Sequence, residues 1–207
     1  MTITATDAGV QTLPRRPASD PRAAATAVAD LLAALGRDVD DDHLADTPRR
    51  VAAALAELLT PQPFEATTFP NTDGYDGLVL ARDIPFRSLC AHHLLPFSGV
   101  AHVGYLPGDR LVGLSKLARV VAFFAADLQV QERLTTQVAR WIEEHLHARG
   151  VGVVLEADHL CMSLRGVQAR GSRTVTSALR GAVRHDARTR AEFLALTGTG
   201  RATGEAR

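Results

Sequence analysis

Apolar positions recur first with the period of a helix. From Pro21, which Asp20 can cap, they continue through Val28, Leu31, Leu32 and Leu35 to a stop at Gly36. A second helix takes Asp46 or Thr47 as its cap and Pro48 in its first turn, carries Val51, Leu55, Leu58 and Leu59, and ends before Pro61. Together these predict a helical hairpin over residues 21–62. The polar, proline-containing stretch 1–20 reads as a flexible arm, and 198–207 as a flexible tail.

From Gly77 the pattern changes to short β-prone runs, Leu78 to Ile84 and Gly99 to Tyr105. Two long amphipathic stretches follow, Ser115 to Leu128 and Glu132 to His147, the second stopped by Gly150. Then come Val151 to Ala157, a run from Cys161 to Gln168, a β-prone run at Thr174 to Ala178, and a closing helix over Asp186 to Leu196. Two strands, two helices and two strands predict an α+β domain over 63–197, a four-stranded antiparallel sheet with two helices on one face.

The 207 residues are 46% apolar, enough to bury a core without disulfides. Formal net charge is zero, which implies no general attraction to nucleic acid or to a membrane, so a charged ligand must be held by a local cluster. No apolar run is long enough to span a bilayer, and Met1 to Asp20 lacks the apolar core of an export signal. A cytoplasmic protein acting on a small molecule is the expectation. Of the 23 basic residues only Lys116 is a lysine, a compact ammonium in a chain that otherwise uses arginine.

The two cysteines carry the first chemical signal. They lie in Cys90-Ala91-His92-His93 and His159-Leu160-Cys161, and soft thiolates beside imidazoles suit Zn(II). Inert buried thiols, or a disulfide, would be the reading without those histidines. Were both segments extended, His92 and His93 would point opposite ways, while His159 and Cys161 would point the same way. Cys90-x-x-His93 is an ordinary chelate spacing. It leaves either a three-ligand catalytic site of Cys90, His93 and Cys161 with an open position, or a closed Cys2His2 site that takes in His159. Gly113-Leu114-Ser115-Lys116 opens a helix whose free N–H groups, with Lys116 and Arg119, outline an anion site. A solvated basic helix start is the plainer alternative. Gln129-Val130-Gln131-Glu132-Arg133 offers an amide and a carboxylate suited to a purine or pterin edge, or simply a charged helix start.

Four segments resemble GTP cyclohydrolase I: Ser88 to Phe97, Gly113 to Arg119, Gln129 to Thr135 and Cys161 to Val167, within a similarity running from about Asp46 to Leu196. The resemblance implies the tunnelling fold, a decameric toroid of two pentamers with shared active sites, and conversion of GTP to 7,8-dihydroneopterin triphosphate and formate. Carried over residue by residue, it makes Cys90, His93 and Cys161 zinc ligands and His92 and His159 acid/base residues. Glu132 and Gln131 would hold the guanine edge, with backbone help at Leu114 and Ser115. Lys116, Arg119 and Arg165 would clamp the triphosphate, and Arg50 would reach it from a neighbouring subunit. Ala91 and Ala53 depart from the family, which commonly has Glu and Lys there, and Gly77 precedes Leu78 where an acidic residue followed by Met is more usual. A relative that opens another purine nucleotide and a non-catalytic zinc-stapled assembly are the alternatives. His43, His102, His145, His147 and His185 match none of these motifs and read as surface or packing residues.

Overall fold

The computed structural model describes residues 10–11 and 19–198; the arm and tail read from the sequence lie largely outside them. In chain order the elements are β1 (Val10–Gln11), α1 (Pro21–Ala34), α2 (Thr47–Leu58), β2 (Phe64–Glu65), β3 (Thr68–Pro70), β4 (Val79–Cys90), β5 (Pro96–Leu106), β6 (Arg110–Val112) and α3 (Leu114–Ala125). There follow β7 (Leu128–Gln129), α4 (Gln131–Leu146), β8 (Gly150–His159), α5 (Leu160–Ser163), β9 (Thr174–Arg180), α6 (Gly181–His185) and α7 (Ala187–Thr197). The described residues form two compact units. One ends at Pro61 and holds α1 and α2, which pack on each other; the other holds everything from Gln62 onward together with β1.

In the smaller unit, Asp20 caps α1 by accepting from Arg22 and Ala23 N–H, both at 3.0 Å. Asp46 does not cap α2 in the expected way. Its carboxylate turns instead to the guanidinium groups of Arg49 and Arg50, each at 3.1 Å.

The larger unit is built on a mixed sheet in the order β7-β4-β5-β8-β9. Its four long strands are antiparallel, and the two-residue β7 adds a parallel edge beside β4, so the sheet has one strand more than the pattern predicts. The run Cys161 to Gln168 is not a strand. The chain leaves β8 at His159 and coils into α5, and a turn with left-handed Gly166 and Gln168 follows.

Alternation along β8 separates two cores. Val153, Leu155 and Ala157 share one face, where α3 and α4 bring Leu117, Val120, Val121, Leu134, Val138 and Ile142, all fully buried. Gly152 and Val154 share the other, where α6 and α7 bring Val183 and Phe193. Gly152 is required there, since a Cβ would stand 2.7 Å from the Phe193 ring. Helices therefore cover both faces, not one. The second layer comes from short helices that follow β9, of which α6 has no amphipathic length to announce it.

Candidate active site

The Cys90 loop is a closed turn between β4 and β5. Cys90 N–H donates to Leu95 O at 2.9 Å, while Cys90 O accepts from His93 N–H at 3.3 Å and Leu94 N–H at 2.9 Å. Leu94 takes a left-handed φ of 56° to close it. Ala91 N–H donates to Gln129 O, and Ser88 Oγ donates to Ala125 O at 2.7 Å, so the loop is anchored to β7 and to the end of α3.

Strand register brings the second segment to this loop. Phe97 pairs with His159 across β5 and β8, and their rings stack at 4.4 Å and 5°. Leu160 then starts α5, which puts Cys161 in a first helical turn; neither chelating segment is extended, so alternation does not set the side-chain directions. The ligand atoms of Cys90, His93 and Cys161 all lie within 4.8 Å of one another, and among the described residues no other group of His, Cys, Asp and Glu does this. Both cysteines are free. Cys90 Sγ stands 3.6 Å from His93 Nδ1, which matches the ~3.6 Å edge of a tetrahedron with Zn–S about 2.3 Å and Zn–N about 2.0 Å. Burial pushes the Cys161 thiol up, the adjacent Cys90 adds to this, and Arg165 opposes it. So placed, Cys161 favours the neutral thiol until a cation joins it.

His92 is exposed on the same turn, with Nδ1 4.0 Å from Cys90 Sγ. His159 is half-buried and lies outside the three-residue group. Burial lowers its pKa, partly offset by Glu132 and Asp158, which keeps the ring neutral near pH 7. Glu132 is thus close enough for its charge to be felt at the ring, and it is exposed in the first turn of α4.

Gln131 differs from the expectation. It is 2% exposed, and its amide is fully engaged inside the protein. Nε2 shares its two hydrogens among Leu155 O, Thr174 O and Thr176 Oγ1, and Oε1 accepts from His159 Nε2 at 2.7 Å. That leaves no side-chain edge for a base. Phe97, Thr135 and Thr176 were not singled out by chemistry in the sequence, because stacking and a buried hydroxyl pair carry no motif.

The basic helix start is elsewhere. Gly113 N–H donates to Thr67 O beside the β3–β6 pair, so α3 begins at the far end of the sheet and runs toward the Cys90 loop. Nine residues separate Lys116 from Ala125, about 13 Å along the helix axis at 1.5 Å per residue. Lys116 thus stands most of the helix length from the end that is tied to Ser88, with Arg119 midway along it. Arg50 belongs to the other compact unit and is paired with Asp46. Of the remaining histidines, His102 is 4% exposed and accepts from Asp83 N–H, and His145 stacks on Trp141, both packing roles.

A catalytic-type cluster of two thiols and an imidazole, flanked by two further imidazoles and a carboxylate, coincides with clear kinship. The chain is 50% identical over 170 residues to GTP cyclohydrolase 1 of Aquifex aeolicus, covering 82% of this chain and 92% of that protein. It is 51% identical to GTP cyclohydrolase 1 of Rhodopirellula baltica, covering 83% and 76%, and 51% identical to that of Thermobifida fusca, covering 82% and 84%. The family model for GTP cyclohydrolase I matches residues 24–198, and the chain belongs to that family.

Proposed function

We propose that this chain is a zinc-dependent GTP cyclohydrolase I, which takes GTP and water to 7,8-dihydroneopterin 3'-triphosphate and formate. The observation that carries the reading is the convergence of Cys90, His93 and Cys161 within 4.8 Å. Zinc bound by these three supplies Lewis acidity and makes hydroxide available near neutral pH. His92, exposed on the ligand turn, donates a proton toward N7 of the guanine, while His159, held neutral by burial, accepts one as the imidazole ring opens. Glu132 meets the N–H groups of the guanine edge with its two oxygens. Arg165, close enough to Cys161 for its charge to be felt at the thiol, is read with Lys116 and Arg119 as a clamp on the triphosphate.

The placement of α3 bears on assembly. Because Lys116 lies toward the opposite end of that helix from Ser88, we read the triphosphate as held in part by a neighbouring copy of the chain. We read the sheet and its helices as a tunnelling-fold subunit of a homodecamer, with Arg50 also supplied from a neighbour. Exposed Leu31, Leu114, Leu164, Val167 and Val175, each more than half accessible, fit surfaces that further copies cover. Free thiols suit a reducing cytoplasm. The test is product analysis of the zinc-loaded protein with GTP. Formate and the pteridine absorbance are expected in equal amounts; GTP recovered unchanged would remove the reading.

A further inference from the structure

The amide of Gln131 sits in a hydrogen-bond circuit whose directions can be deduced. Thr135 Oγ1 donates its single proton to Gln131 O at 2.7 Å. Thr135 and Thr176 Oγ1 are 2.6 Å apart, so the proton between them comes from Thr176. Thr176 Oγ1 therefore accepts from Gln131 Nε2, whose two hydrogens it shares with Leu155 O and Thr174 O. Turning the amide over would set Oε1 against two backbone carbonyl oxygens that have no proton to offer. The buried circuit thus admits one amide orientation, with Oε1 facing His159.

Oε1 can only accept. The 2.7 Å contact to His159 Nε2 consequently requires a proton on Nε2, and the neutral ring must carry its lone pair on Nδ1. Phe97, stacked on the same ring, holds its plane.

We propose that Gln131 is a positioning residue that fixes His159 as the Nε2–H tautomer, so that Nδ1 is the one ring nitrogen able to receive a proton. Gln131 acts through His159 and not on the guanine. The proposal rests on the reading of His159 as an acid/base residue, but its central claim is about a proton position and can be tested without turnover.

Neutron diffraction of the deuterated, zinc-loaded protein, in crystals held well above the ordinary histidine pKa range, should show a deuteron on His159 Nε2 and none on Nδ1. A deuteron on Nδ1 with a bare Nε2 overturns the proposal. Kinetics of Gln131→Leu with GTP give the second readout: kcat should fall about tenfold or more with KM for GTP nearly unchanged. A rise in KM at constant kcat would return Gln131 to the guanine edge and overturn it equally. Should Gln131→Leu fail to fold, the deuteron position in the unaltered protein still decides. If the unaltered protein does not turn over GTP, the functional reading falls while the tautomer remains open to the same map.

Discussion

The two ends of α3 carry different halves of the chemistry. Its C-terminal end is tied to Ser88, two residues before Cys90, and next to it a β-turn, a strand end and a short helix converge on three atoms able to hold a metal. Its N-terminal half carries Lys116, in the first turn beside the β3–β6 pair, and Arg119, at the middle of the helix. Strand register brings the first group together within one chain, whereas a rigid helix keeps its two ends apart; in the proposed assembly a neighbouring copy brings the basic residues to the same substrate.

The largest expected effect breaks the thiol half outright. Cys161→Ala removes one of three ligands, so zinc and GTP turnover should both be lost, whereas His159→Ala should keep about one zinc per subunit and lose turnover alone. Metal analysis of the two variants decides this. Zinc loss in both would restore the closed Cys2His2 site and end the distinction between ligand and acid/base histidine.

Next in size is a test of whether the halves come from different copies. Lys116→Ala with Arg119→Ala removes two charge-assisted phosphate contacts, together about 3 to 6 kcal/mol of binding, enough to silence the enzyme at ordinary GTP concentrations. Co-assembly of that double variant with Cys161→Ala should restore activity, because an interface can join an intact cysteine site to an intact basic helix. Random mixing of equal amounts leaves about a quarter of the interfaces in that arrangement. No recovery in mixed assemblies, with both parents assembled, would place both halves in one chain.

Glu132→Gln probes the thiol half more gently. Replacing one acceptor oxygen by a donor sets donor against donor at the guanine edge, at a cost of at least about 2 kcal/mol in kcat/KM, roughly thirtyfold. GTP turnover at the unaltered rate would take Glu132 out of the site.

These halves were not equally legible in the sequence. The group able to hold a metal could be picked out from Cys-x-x-His and the second cysteine, because chelation constrains short spacings. The long helices announced themselves by period, and α1 by its stop near Gly36, but α4 closes on a left-handed His147 and Gly150, read as its stop, instead opens β8. How the ligands are carried could not be read. Residues from Cys161 to Val167 are β-prone, yet the chain coils there because β8 has ended, and Pro85, which looks like a strand breaker, is carried within β4 beyond an irregularity in pairing between Ala81 and Ile84. Gln131 and Glu132 are neighbours of like polarity, and only the packing of α4 on β8 and β9 shows that one is buried and the other exposed. Spacing along the chain likewise says nothing of which copy's substrate Lys116 would meet.

The smallest effect concerns Ala53, where the resemblance would place a cation. Ala53 is exposed on α2, one turn beyond Arg50, whose guanidinium is shared with Asp46. That exposed pair is worth little, so Arg50 can leave it for a phosphate at small cost. If α2 of one copy serves the substrate of another, Ala53→Lys adds a second cation to the same helix face as Arg50. Solvent screening limits an exposed contact of this kind to about 1 kcal/mol, so KM for GTP should fall several-fold with kcat unchanged, and the gain should shrink as salt is raised. A nucleoside with no phosphates should be unaffected, which separates phosphate attraction from a general change in the helix. If KM does not move, α2 at this position does not face phosphate, and the basic half of the site is confined to the start of α3 and Arg165. A substrate with fewer phosphates than GTP would then compete with it on nearly equal terms, because fewer cations would be left to tell the two apart.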